Sequence, residues 1–123
     1  MKFLIKGDCH RDFIWLNNLD REKYPTNEYA IIILGDVSLN YFLNKNDDKM
    51  KKVVNDEGYI LYCLRGNHEE RPEFIPDMIE CWDAEVDNYV FVQKQYPNIR
   101  YLLDGYFYRF DKYESLCIGG AYS

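Results

Sequence analysis

Three short polar clusters in this chain contain residue types that bind metal ions. They are Gly7-Asp8-Cys9-His10, Gly35-Asp36 and Gly66-Asn67-His68-Glu69, and each follows an apolar run. Carboxylate, imidazole and amide groups are suitable ligands for divalent metals. If the apolar runs are neighbouring strands of an open α/β sheet, the groups that follow them meet outside the carboxyl ends of those strands. The clusters therefore predict one metal site built from distant parts of the sequence.

The elements around the clusters are predicted to alternate between strands and helices in the first half of the chain. Apolar runs predict parallel core strands over residues 2–6, 30–34 and 59–64. Apolar residues at helical spacing predict helices over about 11–23 and 40–55, packed against the sheet in two layers. Gly58 stands where a helix C-terminal cap is expected.

The second half changes character after Pro72 and Pro76. Short runs with alternating apolar residues predict strands that follow one another closely and pair in antiparallel fashion. A turn is predicted at Asp111-Lys112-Tyr113-Glu114 between the last two strands. The predicted strands span residues 88–93, 99–103, 105–110 and 114–119.

Composition and charge exclude several classes of protein. The chain has 123 residues, 47% of them apolar, which excludes a disordered polypeptide. A net charge of −6 argues against nucleic-acid binding through phosphate neutralisation. The longest apolar run is too short for a membrane span or signal peptide. The four cysteines form no closely spaced pair, which predicts free thiols in a reducing cytoplasm.

A second interpretation of the clusters remains open from the residues alone. An aspartate that follows a strand and precedes a helix is often only an N-cap. Asp8 and Asp36 would then cap helices, and His10 and His68 would be surface loop residues. The presence of both histidines of the chain in these three clusters favours the metal site.

The order Asp-x-His, Gly-Asp, Gly-Asn-His-Glu resembles the calcineurin-like metallophosphoesterases. The resemblance implies an α/β fold, a metallophosphoesterase-type βαβ sandwich, with three parallel core strands followed by a run of short strands. It also implies hydrolysis of a phosphate mono- or diester by two divalent transition-metal ions (Mn, Fe, Zn or Ni). Such a metal pair clamps the phosphate and lowers the pKa of a bridging water.

The resemblance assigns a role to each residue that matches the family pattern. Asp8 and His10 would bind the first metal, Asp36 would bridge both metals, and Asn67 would bind the second metal through its amide oxygen. His68 would be the catalytic residue, near the leaving-group oxygen as general acid or electrostatic stabiliser.

Two arginines near the clusters are candidate ligands for the substrate phosphate. Arg11 stands where many family members have glycine, and Arg65 directly precedes Gly66. An ordinary alternative exists for each, since Arg11 can be an exposed surface residue and an arginine at a strand end often forms a salt bridge.

Two departures from the family pattern change what the resemblance implies. Asn40 stands where protein Ser/Thr phosphatases have a phosphate-binding arginine, which favours the broader bacterial phosphoesterases. The family also uses three further histidines, whereas this chain contains two in total, both already assigned. We therefore expect at most one weakly bound metal ion and little activity from these 123 residues.

The final residues predict an incomplete domain. Residues 1–123 are interpreted as a single calcineurin-like phosphoesterase domain that lacks its C-terminal half. The expected substrate of the parent enzyme is a phosphorylated small molecule, a nucleotide or a phosphoprotein. The alternative is a non-catalytic fragment that acts as a binding or dimerisation module. Exposure of Leu116 and Ile118 at an uncovered edge predicts a possible homodimer.

Overall fold

The computed structural model of the chain describes residues 1–7, 9, 11–35, 39, 45–65 and 75–117. In this part of the chain eight strands and two helices follow one another. In chain order they are β1 Lys2–Lys6, α1 Ile14–Asn17, β2 Tyr29–Leu34, α2 Lys45–Asp56, β3 Ile60–Leu64, β4 Met78–Asp83, β5 Asn88–Gln93, β6 Ile99–Leu102, β7 Tyr106–Phe110 and β8 Tyr113–Cys117.

Six of these strands form a central sheet in the order β1-β2-β3-β6-β5-β4. β1, β2, β3 and β6 pair in parallel, and β5 is antiparallel to both of its neighbours. Residues 30–33 of β2 are buried on both faces of the sheet, as expected for a central parallel strand covered on two sides. The prediction of three parallel core strands is confirmed.

The sheet lies between two covering layers. Leu16 of α1 and Val54 of α2 pack with Ile31 and Leu61 on one face. On the opposite face, residues of the β7–β8 hairpin pack with Ala30, Ile32 and Tyr62; they are Tyr108, Phe110 and Cys117. This mixed α/β sandwich agrees with the predicted fold class. Within the described residues, neither helix combines the length and apolar character needed to cross a membrane.

The first predicted helix, over about residues 11–23, is wrong in extent, because α1 spans only Ile14–Asn17. The Arg21 guanidinium donates hydrogen bonds to the carbonyls of Leu16, Asn17 and Leu19, which satisfies acceptors left at the end of the helix. Asp20 then accepts hydrogen bonds from the amides of Glu22 and Lys23, a local alternative to helix. These side chains end the helix before its apolar pattern ends.

The second predicted helix is confirmed over the described residues 45–55, and α2 ends at Asp56. Residues 40–44 of that prediction lie outside the described part. Gly58 follows the helix with a φ of 91°. Glycine adopts this left-handed conformation without the steric cost of a Cβ atom, so the predicted C-terminal cap is consistent with the backbone.

Two features of the second half correct the prediction of consecutive antiparallel strands. β6 pairs with β3 in parallel and extends the parallel part of the sheet to four strands. β4 was not predicted, and it forms an edge of the sheet where Ile79 and Trp82 remain exposed. The four predicted strands are observed as β5 to β8. The predicted turn between the last two is shorter than expected, because only Asp111 and Lys112 form it and Tyr113 and Glu114 belong to β8. Residues 118–119 of the last predicted strand lie outside the described part.

A charged group is buried at the end of β4. The Asp83 side chain is 4% exposed, and its carboxylate accepts hydrogen bonds from the Tyr62 hydroxyl at 2.8 Å and from Arg100 Nη1 at 2.7 Å. Burial raises the pKa of Tyr62 far above its ordinary value, and the negative charge of Asp83 raises that pKa further. The group links β3, β4 and β6.

A second buried hydroxyl attaches the hairpin to the central sheet. Tyr108 Oη donates to the Tyr89 carbonyl at 2.5 Å and accepts a hydrogen bond from the Leu103 amide at 2.8 Å. Burial raises the pKa of the Tyr108 phenol well above its ordinary value. The neutral phenol is therefore the form that the folded protein stabilises.

Candidate metal centre

The parallel strands end side by side at one edge of the sheet. Lys6 of β1 is opposite Ile33 of β2, and Leu34 of β2 is opposite Leu64 of β3. Neighbouring strands lie about 4.8 Å apart, so the chain positions that follow these ends are separated by only about 5–10 Å. Gly7, Gly35 and Arg65 are the next residues after the three strands; Gly7 and Gly35 begin their ligand clusters, and Arg65 directly precedes the third.

The predicted metal ligands and the catalytic histidine lie outside the described residues. They are Asp8, His10, Asp36, Asn67 and His68. The structure therefore brings together the strand ends that precede these residues, whereas the convergence of their side chains remains a prediction. Among the side chains of the described part, no three of the types His, Cys, Asp and Glu form a metal-sized cluster.

The chemistry of the predicted donor set is compatible with a transition metal. Two carboxylates, one imidazole and one amide oxygen suit Mn, Fe, Zn or Ni ions, which accept mixed oxygen and nitrogen ligands. All four donors follow strands whose carboxyl ends are adjacent. By residue type this donor set suits a metal centre, and the described residues place side by side the strand ends that precede it. The arrangement of the donors themselves stays a prediction.

The backbone around the first two clusters adopts conformations that restrict which residues are tolerated. The Asp12 amide donates to the Cys9 carbonyl at 2.9 Å, a hydrogen bond that closes a turn between these two residues. Arg11 has a φ of 65° within this turn, and Gly35 has a φ of 90° directly after β2. Glycine suits such a backbone, whereas arginine adopts it only at a steric cost.

Arg11 extends from this turn to the first turn of α2. Its Nη1 lies 2.5 Å from Asp47 Oδ1, and its Nη2 lies 3.4 Å from the Asn46 carbonyl oxygen. The Asp47 side chain is 2% exposed and that of Arg11 is 21% exposed. The alternative of a fully exposed surface arginine is therefore excluded for Arg11, and its contact with phosphate stays a prediction.

Arg65 extends from the end of β3 toward the fourth parallel strand. Its Nη2 lies 3.3 Å from Oδ2 of Asp104, which follows β6 at the same edge of the sheet. The salt bridge that a strand-end arginine often forms is thus present. The prediction that Arg65 also contacts the substrate phosphate is not tested by this contact.

Two acidic residues near the predicted centre were not identified by the sequence analysis. They are Asp47, the buried partner of Arg11, and Asp104, the partner of Arg65. An acidic residue in the first turn of a helix is common, so Asp47 had no distinguishing signal. Asp104 was missed because β6 was predicted to be antiparallel, which places its end at the opposite edge of the sheet.

Comparison with known proteins gives one match. The family model described as calcineurin-like phosphoesterase matches residues 1–121. Neither the curated proteins nor the solved structures contain a significant match to the chain.

Proposed function

Because the chain belongs to the calcineurin-like phosphoesterase family, we propose that it acts on a phosphate mono- or diester through a two-metal centre. The observation that supports this most directly is the parallel register of β1, β2 and β3, whose carboxyl ends lie level. The three polar clusters begin at these ends. A ligand bound there would lie in the crevice that open α/β sheets use.

In this proposal each cluster contributes ligands for one or both metals. Asp8 and His10 would hold the first metal, Asn67 would hold the second, and Asp36 would contribute its carboxylate to both. When bound, the metals neutralise the phosphoryl oxygens and activate water for attack on phosphorus. Asn67 supplies a neutral oxygen, which limits the negative charge that collects at the site.

The remaining residues of the proposal act on the substrate. His68 stabilises the leaving-group oxygen or donates a proton to it. Arg11 and Arg65 are the proposed phosphate contacts, and Arg65 would have to share its guanidinium between phosphate and Asp104. The substrate is proposed to be a phosphorylated small molecule, a nucleotide or a phosphoprotein, and a charge of −6 does not favour nucleic acid.

The number of ligands limits what these 123 residues bind by themselves. The chain has two histidines, and the proposal uses one as a ligand and one near the leaving group. The first metal then has three protein ligands and the second has two. Two neighbouring cations repel unless enough donors surround them, so we expect at most one weakly bound ion per chain.

Calorimetric titration with Mn²⁺, combined with a p-nitrophenyl phosphate assay, tests this proposal. We expect one weak site, little turnover, and loss of the site in Asp36→Asn. Asp111→Asn is the matched control, because it removes the same charge at an exposed turn far along the chain, and it should bind Mn²⁺ as the parent does. The absence of Mn²⁺ binding in the parent would refute the proposed centre, and two tight sites with robust turnover would refute the ligand count.

A second candidate function is a binding or dimerisation module. It is favoured by an exposed apolar pair on the hairpin, in which Phe107 and Leu116 are direct cross-strand partners and are 54% and 49% exposed. Unpaired apolar surface of this kind favours self-association when it belongs to a larger patch.

Light scattering at micromolar concentration separates this candidate from a monomer. On the dimer proposal, the parent chain has twice the monomer mass and Leu116→Glu returns it to the monomer mass. Val53→Glu is the control, because Val53 is 58% exposed on α2, on the other side of the sheet. A monomer mass for the parent chain, with the hairpin folded, would exclude the dimer.

A further inference from the structure

The turn that follows β1 contains a residue in an unfavourable backbone conformation. The Cys9 carbonyl accepts a hydrogen bond from the Asp12 amide at 2.9 Å, which makes Arg11 the third residue of a four-residue turn. Its φ of 65° is in the left-handed region. A residue with a Cβ atom adopts this region at a cost, whereas glycine adopts it readily.

Unfavourable backbone conformations persist where surrounding contacts enforce them. Two contacts of the Arg11 guanidinium come from α2, which follows the turn by more than thirty residues in the sequence. Asp47 faces the arginine with a carboxylate that is almost completely buried, and their atoms approach to 2.5 Å. The carbonyl of Asn46 accepts a second hydrogen bond from the same guanidinium.

Because Asp47 is buried, its contact with the Arg11 guanidinium favours one backbone conformation of Arg11. A carboxylate removed from water is costly unless a cation and hydrogen bonds compensate it. An alternative backbone conformation at Arg11 would redirect the guanidinium and leave Asp47 with less compensation. The ion pair therefore favours the conformation in which Arg11 has a positive φ.

We propose that Asp47 is a positioning residue, which acts through Arg11 to maintain the positive φ of Arg11 and the Cys9–Asp12 hydrogen bond, and thereby supports metal binding by the neighbouring Asp8 and His10. This inference rests on the proposed function, in which Asp8 and His10 on either side of Cys9 bind the first metal. Glycine at position 11 would adopt the same positive φ without a stabilising ion pair to α2. Arginine needs the buried carboxylate, so the chain uses a long-range contact where a small residue would suffice.

The proposal predicts an unusual order of effects among variants at position 11. Arg11→Gly and Arg11→Ala both remove the ion pair, but glycine adopts the positive φ without the steric cost that alanine incurs. We expect Arg11→Gly to bind Mn²⁺ within about threefold of the parent, and Arg11→Ala to bind about tenfold more weakly, as is common when a residue that orients metal ligands is lost. If Arg11 acted only through its charge, the two variants would behave alike.

A rescue experiment tests the role of Asp47 directly. Asp47→Asn should weaken Mn²⁺ binding about tenfold, and the double variant Asp47→Asn with Arg11→Gly should recover to within about threefold of the parent. Asp48→Asn is the matched control. The side chain of Asp48 is exposed, and the substitution removes the same charge one residue further along α2. It should leave the Mn²⁺ affinity unchanged. A merely structural loss of α2 would not be repaired by glycine in a distant turn.

Hydrogen exchange of the Asp12 amide in metal-free protein gives a reading that does not depend on metal. It should accelerate about tenfold in Asp47→Asn and Arg11→Ala, and return to the parent rate in the double variant. If the parent chain binds no Mn²⁺, the proposed function fails and this exchange rate alone decides the inference. Three results would each overturn the inference. The exchange rate of the Asp12 amide could be the same in Asp47→Asn as in the parent, or Arg11→Gly could fail to restore that rate in the double variant. If the parent binds Mn²⁺, an equal Mn²⁺ affinity of Asp47→Asn would be the third.

Discussion

Replacement of Asp83 by alanine is expected to lower the free energy of unfolding by about 3 kcal/mol. Asp83 accepts hydrogen bonds from the Tyr62 hydroxyl and from Arg100 Nη1, and its side chain is 4% exposed. Its removal leaves a partly buried cation without its partner and a buried phenol without its acceptor. The expected value is at the lower end of the range for broken buried pairs, because the Arg100 side chain is 25% exposed and gains some water.

The urea concentration at the midpoint of unfolding, converted with the m-value, measures this change. Asp56→Ala is the matched control, because it removes an aspartate that pairs with Lys52 at 2.8 Å on the exposed face of α2. Exposed pairs of this kind contribute little, so the control should leave the midpoint unchanged within error. A midpoint for Asp83→Ala as high as that of the control would contradict the stabilising role of the Tyr62–Asp83–Arg100 group.

Stability is expected to fall steeply above about pH 10, the ordinary pKa of tyrosine. The pKa values of Tyr62 and Tyr108 are raised in the folded protein, mainly by burial. In this pH range the unfolded chain releases both protons while the folded chain keeps them, so the stability that these groups contribute is complete below pH 10 and is lost above it. The slope approaches about 1.4 kcal/mol per pH unit for each phenol.

Urea unfolding at a series of pH values between 8 and about 11.5 tests this expectation. Cys117 contributes in the same direction, because burial also raises its pKa. Tyr62→Phe removes one of the two phenols and should reduce the alkaline slope by up to about 1.4 kcal/mol per pH unit. A stability that stays constant through pH 11, or a slope that Tyr62→Phe leaves unchanged, would show that these phenols are not protected in the folded state.

Local patterns were sufficient to predict the elements that carry the clusters. The apolar runs before Gly7, Gly35 and Arg65 are strands of one parallel sheet, as predicted from runs of buried, mostly β-branched or aliphatic residues. The longer helix and its terminal glycine also follow from short-range spacing. The polar clusters, and hence the candidate metal ligands, were identified because ligand chemistry depends on residue type and order.

Features that depend on pairing between distant segments could not be predicted in the same way. Nothing local to β6 indicates that it joins β3 in parallel, because a short alternating strand pairs equally well in either direction until its neighbours are known. The end of α1 involves the guanidinium of Arg21, which donates to carbonyls at the end of the helix and is itself paired with Glu57, 36 residues further along the chain.

The same limit applies around the candidate centre. The pairs Arg11–Asp47 and Arg65–Asp104 join residues more than thirty positions apart. No local sequence pattern indicates which acidic residue pairs with either arginine. Residue types and their local periodicity can be read directly from the sequence. Which charges become neighbours is decided by the sheet order and by the packing of α2, because burial makes only certain pairs of charges tolerable.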